Sequence, residues 1–85
     1  MPKFLVQNLT DNPLSVGIEP WADSEVLTPN SRAEFEYSEP AQVDLAVMND
    51  GTVTVGIWSD LIKVTANGGE KTFKPPRRWA SQEGG

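Results

Sequence analysis

The segment that decides the fold is Leu14–Tyr37, LSVGIEPWADSEVLTPNSRAEFEY, in which two alternating apolar stretches flank an acidic, aromatic turn. Apolar side chains occupy every second position from Leu14 to Ile18 and again from Ala33 to Tyr37. Successive side chains of a β-strand point to opposite faces, so this period of two predicts two strands that each bury one face. The segment therefore indicates a β-domain.

The same alternation recurs along the rest of the chain in short runs that are separated by turn residues. Asn49-Asp50-Gly51 predicts a tight hairpin, since these residues accept positive φ angles, and we expect its flanking strands to pair antiparallel. The expected strands are Lys3–Leu9, Leu14–Glu19, Glu25–Thr28, Arg32–Ser38, Gln42–Met48, Thr52–Trp58, Leu61–Ala66 and Glu70–Lys74. This spacing is typical of an all-β sandwich or partly open barrel of seven to eight short antiparallel strands.

The length of 85 residues accommodates one core, so we expect a single β domain over residues 1–74. From Pro75 the composition changes to Pro-Pro-Arg-Arg-Trp and then to small polar residues, which predicts a basic, Pro-rich, irregular tail over residues 75–85. The chain does not begin with a basic stretch and a long apolar run, and no segment approaches the length of a membrane span. We therefore expect a cytoplasmic protein that does not contact membranes.

Charge is distributed unevenly between these two parts. Residues 1–70 carry three cations and eleven acids, a net charge of −8, whereas residues 71–85 carry four cations and one acid, a net charge of +3. An acidic surface repels phosphates, so direct nucleic-acid binding by the body of the domain is disfavoured. The acidic body instead fits a basic partner, or it serves solubility.

The chain contains no histidine and no cysteine, which excludes most nucleophilic pairs, disulfides and imidazole or thiolate metal sites. We expect no catalytic residue, no metal and no cofactor. The remaining alternative is carboxylate chemistry: Glu34 and Glu36 share one strand face and Glu39 follows, a pattern that fits a calcium site or a glycosidase pair. We favour an ordinary charged outer face, because so small a domain leaves little room for a sugar cleft.

The first candidate surface for partner binding is the acidic corner, which consists of Glu19, Trp21, Asp23 and Glu25. A tryptophan between carboxylates fits a ligand ring, a cation or a protein surface. The alternative is structural: Trp21 folds back and closes the end of the domain, while Asp23 and Ser24 cap a short 3₁₀ turn.

The second candidate surface lies in the basic tail and consists of Arg77, Arg78 and Trp79. A stiff Pro-Pro element with two guanidinium groups fits a groove on another protein or the acidic body of a neighbouring copy, which would produce a homo-oligomer. Docking on its own domain, or an unstructured end, is the alternative.

Three elements carry a family resemblance: a strand that ends in Glu19-Pro20-Trp21, the turn Leu27-Thr28-Pro29-Asn30-Ser31, and the strand Val53–Trp58. With them, residues 3–73 resemble small uncharacterised bacterial all-β proteins. Asn30 stands where a Pro-Gly turn has glycine, and it keeps access to a positive φ angle. The resemblance implies the all-β fold and assigns no activity.

These observations predict a non-catalytic binding or assembly module that acts through protein–protein contacts, either with a protein partner or with itself. The alternative is a small acidic inhibitor of the phage type, whose carboxylates imitate nucleic-acid phosphates in a basic enzyme site. A carboxylate hydrolase and a carrier activated at Gly84-Gly85 rank below both, since the helix of diglycine carriers has no counterpart in the pattern. We do not expect an enzyme.

Overall fold

In the computed structural model, which describes residues 1–74, the chain forms two four-stranded β-sheets and no helix. The strands are β1 (Lys3–Gln7), β2 (Leu14–Glu19), β3 (Asp23–Leu27), β4 (Arg32–Tyr37), β5 (Gln42–Val47), β6 (Val53–Trp58), β7 (Ile62–Ala66) and β8 (Gly69–Phe73). The predicted all-β fold is confirmed, and its two separate sheets make it a small sandwich and not a closed barrel. Within residues 1–74 there is no helix long and apolar enough to cross a membrane.

The first sheet has the order β1-β4-β7-β8, and all its neighbouring strands are antiparallel. The second sheet has the order β3-β2-β6-β5. Its β5–β6 pair is antiparallel, from Val43 opposite Ile57 to Val47 opposite Val53, as the hairpin predicts. The expectation of antiparallel pairing throughout is wrong for β2 and β6, which are parallel. A parallel pair needs a long crossover, and here the chain crosses through β4 of the opposite sheet before it returns.

The core lies between the two sheets and uses the inward-facing position of each alternating strand. Its buried apolar residues are Val16, Ile18, Leu27, Ala33, Phe35, Val55, Ile57, Ile62, Val64 and Ala66. The fully buried Phe35 ring stacks on Phe4 of β1 with 5.0 Å between ring centroids. Burying one such large side chain contributes about 1.5–3 kcal/mol, so these ten residues provide most of the cohesion of a chain without disulfides.

The turns adopt the backbone conformations that their residues favour. Asn30 has a φ angle of 67° and Gly51 of 88°, while Asn67 and Gly68 have φ angles of 53° and 75°. All four lie in the left-handed region, which Asn and Gly enter more readily than other residues. The predicted hairpin turn at residues 49–51 is therefore confirmed, and Asn67-Gly68 forms the turn between β7 and β8.

A buried asparagine, Asn8, ends β1 two residues before the predicted position. Its side chain is 1% exposed, and its Nδ2 donates hydrogen bonds of 2.8 Å to the carbonyl oxygens of Asn12 and Leu27. Its Oδ1 accepts from the Thr10 backbone N–H at 3.0 Å and from the Thr10 hydroxyl at 2.7 Å. All the hydrogen-bonding capacity of the Asn8 side-chain amide is used. These bonds hold the turn that follows β1, where the chain leaves the sheet.

Candidate functional site

The acidic corner begins at Glu19, the last residue of β2, and continues through the connection into the first residues of β3. The half-buried Trp21 ring packs against Phe73 of β8, with 4.9 Å between ring centroids and 33° between ring planes. Its Nε1–H donates a 3.0 Å hydrogen bond to the carbonyl oxygen of Lys74. The indole therefore lies back on its own domain, as the structural alternative describes.

Asp23 and Glu25 project from the inward side of β3 at the rim of the sandwich, where the Asp23 side chain stays 35% exposed and the Glu25 side chain 13% exposed. They lie opposite Ile18 and Val16 of β2, both fully buried, and so share the inward face of the second sheet. β3 extends from Asp23, so the expected strand start at Glu25 is wrong by two residues, and the expected 3₁₀ turn is replaced by strand. The physical reason is that the ladder with β2 continues through Ser24 and Asp23, which lie opposite Gly17 and Ile18. The Asp23 carboxylate also forms an ion pair with the opposite sheet, which sequence alternation does not reveal.

That ion pair is formed by Lys71, which projects inward from β8 opposite Val64. The Lys71 ammonium lies 3.1 Å from Oδ2 of Asp23 and also contacts Oε2 of Glu25, whose side chain is 13% exposed. Asn67 Nδ2 donates to Oε1 of Glu25 at 3.0 Å. We call these four residues, Asp23, Glu25, Asn67 and Lys71, the inter-sheet latch, because they join the β3 edge of one sheet to the β8 edge of the other.

The latch favours the charged forms of Asp23 and Lys71. The backbone N–H of Ser24 and then the Lys71 ammonium lower the pKa of the Asp23 carboxyl below its usual value. Hydrogen bonds to Glu25 and then to Asp23 raise the pKa of Lys71 above its usual value. Together with Trp21, three of the four residues of the acidic corner are thus engaged within the domain.

The other residues predicted to bind a partner, Glu19 and the tail candidates, are not part of the latch. Glu19 lies opposite Gly56 of β6 and faces outward from the second sheet, away from the latch. The half-buried Trp58 ring covers Gly56 on this outer face, so close that a Cβ atom on Gly56 would lie 2.8 Å from the ring. The candidates in the tail, Arg77, Arg78 and Trp79, lie outside the described residues.

The carboxylates that suggested calcium binding or glycoside hydrolysis form ordinary surface pairs. Glu34 lies 3.8 Å from the Lys3 ammonium, and Glu36 lies 4.0 Å from the Lys63 ammonium. Both acids are on the outer face of β4, and Glu39 is exposed in the following loop. Among residues 1–74 there is no group of three or more acids placed to hold a metal ion.

The feature that sequence analysis missed is the exposure of β5, the outer strand of the second sheet. Leu45 and Val47 lie opposite Val55 and Val53 of β6, so their side chains point to the same face as the core. Val55 is fully buried, yet Leu45 is 63% exposed and Val47 is 78% exposed. Their exposure shows that the first sheet does not cover this strand. An alternating sequence gives the face of a side chain but not whether another sheet lies against it.

The backbone of β5 also has an open hydrogen-bonding edge. The Met48 N–H donates to the Thr52 carbonyl oxygen at 2.8 Å and thereby fixes which residues bond to β6. Along an antiparallel ladder, hydrogen-bonded residue pairs alternate with non-hydrogen-bonded pairs. The even-numbered residues of β5 therefore bond to β6, and Val43, Leu45 and Val47 direct their N–H and C=O groups away from β6. The apolar side chains and the open backbone groups therefore belong to the same three residues, and we call this surface the β5 edge.

The other three outer strands are better protected. The edges of β3 and β8 are joined by the latch, and Asn67 Nδ2 also donates to the Val26 carbonyl oxygen of β3 at 3.1 Å. The edge of β1 carries Lys3 and has its inward-facing Phe4 half-buried. Charges and covering side chains are the usual protection of sheet edges against pairing. Among the described strands, β5 is the least protected in this sense.

Comparison of the chain with protein-family models, with curated proteins and with solved structures gives no match.

Proposed function

We propose that this protein is a non-catalytic binding and assembly module, and that it binds an extended segment of a protein along the β5 edge. The observation that carries the proposal is the 63% and 78% exposure of Leu45 and Val47 on the face that buries Val55. Strand addition to a sheet edge obtains affinity from main-chain hydrogen bonds and selectivity from alternate side chains. The β5 edge offers both at the same three positions.

The acidic corner plays a smaller part in this proposal than the sequence indicates. Trp21 packs on Phe73, and Asp23 and Glu25 hold Lys71, so these groups contribute to cohesion between the sheets. An incoming chain would have to break these contacts before it used the same groups. The β5 edge needs no such rearrangement, which favours it as the binding surface.

The acidic inhibitor remains the alternative. Its support is the net charge of −8 over residues 1–70. Five acids, however, already lie within 4.0 Å of a lysine: Asp23, Glu25, Glu34, Glu36 and Glu70. A surface that imitates a phosphate backbone needs aligned carboxylates directed at solvent, and these pairs reduce that alignment.

The test is selection of displayed extended peptides on the immobilised full-length chain, followed by titration of the selected peptides against variants. Leu45→Lys places a charge on the β5 edge, and Leu5→Lys is the matched control, since Leu5 is a 44% exposed leucine on the outer strand of the other sheet. We expect peptides with alternating apolar residues, whose affinity falls about tenfold or more in Leu45→Lys and little in Leu5→Lys.

Equal affinity for both variants would contradict the proposal. Peptides rich in Lys and Arg that bind both variants, and whose affinity falls steeply as salt rises, would support the acidic inhibitor instead. Salt weakens attraction between exposed charges, and beyond about 10 Å this attraction is largely screened at 0.1 M salt.

A further inference from the structure

We infer that the strand bound by the β5 edge is β5 of a second copy of this chain, paired antiparallel about a two-fold axis through Leu45. This inference rests on the proposed function and specifies its partner. The second sheet would then continue from one copy into the next as β3-β2-β6-β5-β5-β6-β2-β3. A closed two-fold dimer of this kind removes the β5 edge of both copies at once.

Hydrogen bonding agrees with this register. In a two-fold antiparallel pair centred on Leu45, the two Leu45 residues lie opposite each other, and Val43 of each copy lies opposite Val47 of the other. These are the three residues whose N–H and C=O groups point away from β6. Each opposed pair can exchange two hydrogen bonds, as in any hydrogen-bonded antiparallel pair. No open backbone group of the three residues is left without a partner.

Side-chain chemistry agrees with the same register. Val43, Leu45 and Val47 all project to one face, so a continuous apolar row would cross the seam, where Leu45 is 63% exposed and Val47 is 78% exposed in the single chain. The one charged residue of β5, Asp44, falls opposite Ala46 of the other copy. A centre at Asp44 would instead oppose two carboxylates directly, which destabilises a pair.

The response to salt distinguishes this dimer from an assembly formed by the basic tail. Each copy carries a net charge of −5, so two copies repel each other and salt should strengthen pairing of the β5 edges. Contacts between Arg77 or Arg78 and an acidic body would respond in the opposite way, because salt screens attraction between opposite charges.

Disulfide trapping tests the register, because the chain contains no cysteine and a single introduced thiol can cross-link only to another copy. Facing residues of a hydrogen-bonded antiparallel pair have Cα atoms about 5.5 Å apart, within the range that a disulfide spans. We expect Leu45→Cys to form a disulfide-linked dimer about tenfold or more faster than the control Leu5→Cys under mild oxidation, since association raises the effective thiol concentration.

Sedimentation of the wild-type chain, Leu45→Lys and Leu5→Lys over a range of concentrations completes the test. Wild type and Leu5→Lys should approach twice the 9.3 kDa mass as concentration and salt rise, and Leu45→Lys should remain at the single-chain mass. A wild-type chain that stays monomeric, or equal cross-linking at Leu45 and Leu5, would overturn the inference. If selected peptides still discriminate Leu45→Lys in that case, the proposed function survives and only the second copy is wrong.

Discussion

Replacing Asn8 by aspartate changes one atom of a buried side chain and should destabilise the domain strongly. The amide Nδ2 donates to the carbonyl oxygens of Asn12 and Leu27, each at 2.8 Å, and a carboxylate would direct a charged oxygen at the same two acceptors. Loss of a partner for a buried polar group costs about 1–3 kcal/mol, so two lost bonds should reduce the free energy of unfolding by about 2–6 kcal/mol. The stability of an 85-residue domain is roughly 4–13 kcal/mol.

The loss should depend on pH in a defined direction. Burial and the neighbouring carbonyl oxygens raise the pKa of the introduced carboxyl in the folded state above the value of about 3.9 in the unfolded chain. Between these two pKa values the folded variant binds more protons than the unfolded chain, so its stability falls as pH rises. Below about pH 3.9 the protonated carboxyl donates one hydrogen bond again, and the loss should shrink to about 1–2 kcal/mol.

Urea unfolding followed by tryptophan fluorescence measures the loss, with Asn12→Asp as the matched control. Asn12 is exposed, and the hydrogen bonds described for it use its backbone N–H and carbonyl, so the same added charge should cost little there. Equal losses in Asn8→Asp and Asn12→Asp would refute the reasoning. So would a loss in Asn8→Asp that stays constant from acid to neutral pH.

Two further predictions concern the latch and the β5–β6 hairpin. Lys71→Met should lower the free energy of unfolding by about 1 kcal/mol at neutral pH, a figure reduced for solvent screening of a 44% exposed side chain. The pKa of Asp23 is lowered from 3.8, so the stability difference between wild type and Lys71→Met should vanish as pH falls below 3.8. The pKa of Lys71 is raised from 10.5, so the same difference should also vanish as pH rises above 10.5. A pH-independent difference in urea unfolding would rule out the latch. Gly51→Ala, at a φ angle of 88°, should cost about 1–2 kcal/mol, whereas Gly69→Ala, whose added Cβ would meet only an oxygen at 3.8 Å, should cost less; thermal unfolding of both variants compares them.

The elements that sequence predicts well are those set by local chemistry. Alternation places Val16, Ile18 and Phe35 in the core, and positive-φ residues place the hairpin turns. The start of β3 is different, since Asp23 pairs with Ile18 of β2 and its carboxylate contacts Lys71, which lies far along the chain on the opposite sheet. No local pattern contains that information.

The candidate site shows the same limit. Trp21 and its carboxylates stand out in sequence because they are unusual, and the structure uses Trp21, Asp23 and Glu25 to hold its two sheets together. Leu45 and Val47 look like ordinary core residues in sequence, and the structure leaves them exposed because the first sheet does not cover β5. The alternation of side chains predicts on which face of the sheet a residue lies. Whether that residue is buried depends on how the two sheets pack against each other.

Amide hydrogen exchange along β5 at low and high protein concentration tests the central claim most directly. If β5 edges pair, the N–H groups of Val43, Leu45 and Val47 should exchange more slowly as concentration rises, while the Leu5 N–H on β1 should not change. Protection that is the same at every concentration would contradict pairing between copies. Protection that rises equally at Leu5 and Leu45 would contradict β5 as the binding edge.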